Sequence, residues 1–284
     1  MNFDFFRKWL MDKAINMIVV ICFLLFVIFI IFVAGISGNF KGYNVSTTPL
    51  SNKKIGWGIK RNDNHEQPDL GKKNIEIINE FDGYAIGGKD KKYIYLTFDV
   101  GYDNGYMEKI LNTLKDNEVK AAFFVTGQFV KTSPDILRRI IDDGHIVGNH
   151  TVNHKSLPDC TDGIIDSEVM RLHKRIYEEF NYEMKYMRPP KGEYSEKSLA
   201  YIQKLGYIPV MWSFAYDDWD EKKQGREEYG KKKILDNLHN GEIMLLHATS
   251  KDNANILDNV IKKIKEEGYE FKSLDEFEKN WIQI

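Results

Sequence analysis

The sequence predicts an α/β protein: an irregular (β/α) barrel of about seven parallel strands, preceded by one N-terminal transmembrane helix. Short apolar runs rich in β-branched and aromatic residues alternate with segments of helical periodicity, which implies parallel strands joined by helical crossovers. Polar and titratable residues fall at the C-terminal ends of those runs, where a parallel barrel opens its mouth. A long uncharged stretch precedes them all. An open doubly wound sheet is the alternative arrangement of the same elements.

Residues 14–36 carry no charge, and as a helix they are long enough to cross a hydrocarbon core of about 30 Å. A cleaved signal peptide is the alternative, although its apolar region usually runs only about 7 to 15 residues and "VAGISG" is a weak cleavage site. Arg7, Lys8 and Lys13 precede the span and only Lys41 closely follows it, so residues 1–13 are expected in the cytoplasm and the rest outside. Residues 37–54 read as a tether of Gly, Ser, Thr and Asn, and residues 55–284 as one domain. Cys160 is the only cysteine beyond the span, so the outer domain forms no internal disulfide. Lys and Arg number 40 against 42 Asp and Glu, which leaves no global positive field to recruit nucleic acid.

The expected strands are "YIYLTF", "AAFFVT", "HIVG", "YMR", "IPVMWSF", "IMLLH" and "YEFKSL". Between them lie "GYMEKILNTLKDN", "SPDILRRIIDDG", "SEVMRLHKRIYEEF", "SEKSLAYIQKLG", "KKILDNLHNG" and "NANILDNVIKKIKEEG", several opening on Ser or Asn and closing on Gly as helices do. The charge-rich stretch "DEKKQGREEYGKKK" reads as a solvated loop entering a helix. Asp99, Thr126, His150, Arg188, Ser213 and His247 each sit at or just past the end of a run, and all are expected at one mouth.

"GNHTVNH" spaces His150 and His154 four apart, the start of a zinc site or a pair of hydrogen-bonding histidines. In "MRPPKG" two prolines stiffen the chain beside Arg188, whose fork would orient Asp99 and keep it ionised; a surface arginine after a turn is the plainer reading. His247 closes the most apolar run, and "YDDWD" offers Asp217 and Asp218 beside Trp219. A carboxylate behind a histidine raises its basicity and fixes its tautomer, as a general acid requires. Taken singly, Trp219 reads equally as a core aromatic and His247 as a strand cap.

The ordered set "TFDVG", "HTVNH", "RPPKG", "DDW" and "LLH" resembles the NodB-homology polysaccharide deacetylases, over roughly residues 55–277. Its flanks resemble the sporulation branch that makes muramic δ-lactam in spore cortex. The resemblance implies Asp99 as catalytic base, Arg188 as its orienting partner, His247 as general acid and Asp218 as the carboxylate behind it. It implies His150 and His154 as ligands of a divalent metal, zinc foremost, with Trp219 and Pro189 against the sugar. The implied substrate is the peptidoglycan glycan strand, reached from an anchor in the membrane with the domain on the outer forespore or cell surface.

One residue departs from the family's pattern. Val100 stands where most of the family has a second Asp as third metal ligand, and valine offers no donor atom. Asp103 or waters could complete the shell; otherwise the metal is weakly held or the reaction lost. Three functions therefore stand: removal of the N-acetyl group of N-acetylmuramic acid, deacetylation of another wall or capsular sugar, and a catalytically impaired glycan-binding module.

Overall fold

The structure, a computed structural model, describes residues 49–278. The expected membrane span, the residues before it and most of the tether lie outside the described residues. Among those described, no helix is long and apolar enough to cross a membrane.

All seven expected runs contain strands. In chain order the strands are β1 (Ile55–Gly56), β2 (Tyr93–Val100), β3 (Ala122–Val125), β4 (Ile146–Asn149), β5 (Tyr186–Met187), β6 (Glu193–Tyr194), β7 (Ile208–Pro209), β8 (Glu242–His247) and β9 (Glu270–Phe271). β1 and β6 form a small antiparallel pair that was not foreseen. The others form one sheet in the order β7-β5-β4-β3-β2-β8, with β9 pairing the start of β2, and every pairing is parallel. The sheet curls. Ser213 N donates to Ile243 O (3.0 Å) and Leu245 N to Phe214 O (2.9 Å), tying the chain after edge strand β7 to the opposite edge, β8. That decides for the barrel-like arrangement over the open doubly wound one.

The helices are α1 (Lys72–Glu80), α2 (Met107–Asp116), α3 (Gly127–Thr132), α4 (Pro134–Asp142), α5 (Asp162–Phe180), α6 (Glu196–Lys204), α7 (Glu227–Asp236) and α8 (Lys251–Glu266). Caps fix their starts where sequence placed Ser or Thr: Thr126 Oγ1 accepts from Phe129 N, Thr161 from Ile164 N, and Ser250 from Asn253 N. α5 begins one turn before the expected "SEV" because Thr161 supplies that cap. The second half of the charge-rich stretch is helical, as α7.

Side-chain alternation divides β2. Ile94, Leu96, Phe98 and Val100 belong to the larger core, together with Met107, Ile110 and Leu111 of α2. Tyr95 joins Ala122, Phe124, Tyr186 and Ile243 in a second cluster, and Thr97 and Asp99 continue on that side.

Past the strand ends the ladder continues for one more bond each. Thr126 N donates to Val100 O (3.1 Å), His150 N to Val125 O (2.9 Å), Arg188 N to Asn149 O (3.0 Å) and Val210 N to Met187 O (2.8 Å). Residues immediately after four successive strands are thus held by sheet geometry rather than by loop conformation. This rigidity sets the site.

Candidate active site

A cleft of about 1080 Å³ opens at the C-terminal ends of the strands, lined by Asp99, Thr126, His150, His154, Trp219 and His247 among others. Register puts Asp99 of β2 directly opposite His247 of β8 and Phe124 of β3.

Arg188 has no exposed surface, and its guanidinium is spent on the site. Nη1 donates to Asp99 Oδ1 (2.8 Å), Nη2 to Thr97 Oγ1 (2.9 Å) and Met211 O (3.3 Å), and Nε to Val210 O (3.1 Å). Its face lies 4.2 Å from the centroid of the Phe124 ring. That ring needs Gly148: a Cβ there would come within 2.5 Å of it. The glycine between the β4 apolar residues and His150 is therefore a packing requirement for seating Arg188.

Burial alone would raise the Asp99 pKa, but the positive charges around it, above all the hydrogen-bonded Arg188 guanidinium, and His247, hold the carboxyl below its ordinary range. Asp99 is consequently ionised at neutral pH and available as a proton acceptor through Oδ2. His247 shows the opposite balance. Burial opposes its charge, yet Asp218 and, beyond it, Asp99 raise its pKa above the ordinary imidazole value. His247 Nδ1 donates to Asp218 Oδ1 (2.8 Å), and Asp218 Oδ2 accepts from His247 N (2.7 Å) and Asn253 Nδ2 (2.6 Å). Tyr216 OH in turn donates to Asn253 Oδ1. Both Asp218 oxygens are taken, and the imidazole is left with Nε2 as its exchangeable position.

His150 Nδ1 lies 2.9 Å from the carbonyl oxygen of Arg188. A carbonyl only accepts, so Nδ1 carries the hydrogen, and burial lowers the pKa toward the neutral ring. The bare Nε2 then faces Asp99 Oδ2 at 3.4 Å, two electron-rich atoms that a cation between or beside them would relieve. His154 stands with its ring centroid 4.7 Å from that of His150, and its pKa is also lowered, by desolvation and by His150. These two neutral imidazoles beside an ionised carboxylate fit a divalent metal. Their loop is pinned from three sides: Thr151 N donates to Asn149 Oδ1 (2.9 Å), Gly127 N to Thr151 O (3.1 Å), and Asn153 N and Nδ2 to the two oxygens of buried Glu168 (both 2.7 Å).

Among the described residues, no group of three His, Cys, Asp or Glu side chains converges as a metal set. Val100 is wholly buried in the larger core and does not line the cleft. Asp103, the suggested substitute, does not line it either; its Oδ1 accepts from Gly105 N (2.8 Å) and closes a turn. Pro189, expected against substrate, is buried outside the lining, while Trp219 lines the cleft with 61% of its surface exposed. Ser213 is not at the mouth: alternation sends Trp212 into the cleft and Ser213 away from it, onto Ile243 N (3.0 Å) and His239 Nε2 (2.8 Å). Asp217 pairs with Lys223 (3.0 Å) and Arg226 rather than with His247. Sequence reasoning missed Asn253 and Glu168, which sit inside ordinary helical patterns; Asn253 reaches the site through Asp218 and the His247 carbonyl, and Glu168 through Asn153 and Val152.

A family model described as polysaccharide deacetylase matches residues 87–210, which hold Asp99, His150, His154 and Arg188 and stop short of Asp218 and His247. Over 233 residues the chain is 42% identical to the peptidoglycan-N-acetylmuramic acid deacetylase PdaA of Bacillus subtilis, covering 81% of this chain and 89% of the relative. The solved structure of that protein, a family 4 carbohydrate esterase, superposes with a TM-score of 0.78 at 41% identity, over 80% of this chain and 98% of the other. A family 4 carbohydrate esterase from Bacillus anthracis superposes with a TM-score of 0.69 at 39% identity, over 81% and 98% of the two chains. With its curled parallel sheet and this degree of likeness, the chain belongs to the polysaccharide deacetylase family.

Proposed function

We infer that the protein is a metal-dependent de-N-acetylase that acts on N-acetylmuramic acid of peptidoglycan. The observation that carries the reading is the pair of opposed, charge-tuned groups at one level of one cleft: Asp99 held ionised by Arg188 at 2.8 Å, and His247, whose pKa Asp218 at 2.8 Å raises against the effect of burial. A site that only bound sugar would have no use for a base and an acid of opposite tuning. The muramic preference is drawn from the substrate in the name of the Bacillus subtilis relative.

In this reading Asp99 Oδ2 accepts the proton of the attacking water, and Arg188 on Oδ1 keeps the carboxylate aimed. His150 and His154 would hold a divalent ion, zinc being suited to imidazole donors, which when bound supplies positive charge to polarise the acetamide carbonyl and the water. His247 Nε2 passes its proton to the departing nitrogen, so acetate and a free amine leave as products. Trp219 offers an exposed ring for a sugar face. The amine can then condense with the lactyl carboxyl of the same sugar, losing water, to give the δ-lactam of spore cortex. Residues 14–36 would anchor the enzyme with its domain outside the cytoplasmic membrane.

A second reading, a glycan-binding module, is favoured by Val100, which leaves the imidazoles without the family's third protein donor. Acetate release separates the two. The expected result is zinc-dependent acetate and a matching loss of one acetyl group from muramic residues by mass spectrometry; binding of glycan with no acetate at any metal concentration would establish the module instead.

A further inference from the structure

The cleft lining combines aromatic rings, Trp212, Tyr216 and Trp219, with cations, Lys131, Arg171, Arg175 and Lys191. Lys191 follows the Pro-Pro turn beside the Trp212 ring, whereas the other three lie on the helices around the His150 and His154 loop. These three cations are placed by the elements that pin the metal-side loop. Glu168, whose oxygens hold Asn153, is followed on the same face of α5 by Arg171 and Arg175, at i+3 and i+7. The stripe therefore leaves the loop and advances about 4.5 and about 10 Å along the helix. Lys131 sits in the last turn of α3, whose first residue donates to Thr151 O of that same loop.

The charges in this stripe are unequally used. Glu168 is buried and committed to Asn153, with Lys155 Nζ 3.4 Å from its Oε1. Arg175 is engaged by Glu179, Nε to Oε1 at 2.9 Å. Lys131 and Arg171 are exposed, line the cleft, and have no ion-pair partner among the described residues. Two free cations in a concave wall concentrate anions, and a guanidinium fork fits a carboxylate in particular.

We propose that Lys131 and Arg171 form a carboxylate subsite that holds an acidic group of the glycan strand while the acetamide lies between Asp99 and His247. The proposal rests on the peptidoglycan reading and deepens it, because a polymer of N-acetylglucosamine alone has no carboxylate to offer. Two sources share the chemistry: the lactyl group of a muramic residue and the acidic residues of a stem peptide.

The test uses the full-length, zinc-loaded chain and its K131A/R171A variant, with binding of three ligands measured by calorimetry at low and high salt in an Asp99→Asn background that stops turnover, and kcat measured separately with Asp99 in place. The ligands are a peptide-stripped glycan strand, the same strand with its stem peptides, and an N-acetylglucosamine oligomer. The double variant is expected to bind the stripped strand about tenfold more weakly, to bind the neutral oligomer as wild type does, and to leave kcat unchanged. High salt is expected to reproduce the loss in wild type. A loss confined to the peptide-bearing strand would assign the carboxylate to the stem. Equal weakening on the neutral oligomer, or no weakening on either acidic strand, would overturn the subsite. Absence of acetate from wild type would count against the deacetylase reading instead, since the dissociation constants are read independently of turnover.

Discussion

On one side of Asp99 the His247 imidazole is backed by a carboxylate whose two oxygens are both occupied, by His247 itself and by Asn253, with Tyr216 behind. On the other side His150 is oriented by a single backbone carbonyl, and His154 stands beside it with no third protein donor at Val100. In the proposed mechanism the proton-transfer arm is therefore over-determined and the metal arm minimal, so the acid and base would keep their geometry whatever the metal does, and metal occupancy would set the fraction of molecules able to react.

The largest effect is expected at the residue the two arms share. Asp99→Asn retains the shape and the Arg188 contact but removes the proton acceptor, so kcat should fall by about 10² or more while glycan affinity changes little. Near wild-type turnover in that variant would remove Asp99 from its role. On the acid arm, Asp218→Asn should lower kcat by about tenfold or more and move the alkaline limb of the pH-rate profile to lower pH. The sign follows from the roles: a general acid works only while protonated, Asp218 raises the His247 pKa, and its neutralisation lets that proton leave earlier as pH rises. An unmoved alkaline limb would mean that another group titrates there.

The metal arm is sharpened by Val100→Asp. A carboxylate placed in this fully buried apolar position should lower the Tm of metal-free protein, and added zinc should then raise the Tm of the variant by more than that of wild type. Identical zinc-induced shifts in the two proteins would show that position 100 cannot reach the ion, and that two imidazoles are the whole protein contribution.

Much of this site was legible before the fold. Asp99, His150, Arg188 and His247 end apolar runs, and a parallel sheet brings such ends together whatever the loops do. Ser213 broke the pattern because the chain after Pro209 crosses from one sheet edge to the other, so its run does not end where β7 does. Pro189, expected against the sugar, is buried and does not line the cleft. Asn253, Glu168 and the Lys131 and Arg171 pair carry no local signal, since polar residues on helices are ordinarily solvated faces and only the tertiary arrangement turns these toward the cleft. The short β1 and β6 pair of two residues each has no periodicity to read.

The division between a complete acid-base pair and a two-imidazole metal arm is tested most directly by acetate release from peptide-stripped glycan, measured on wild type and His150→Ala before chelation, after chelation, and after zinc is restored. The account predicts that wild type loses release on chelation and regains it with zinc, whereas His150→Ala stays inactive at zinc concentrations that saturate wild type. Full release from chelated wild type, or from His150→Ala, would contradict it.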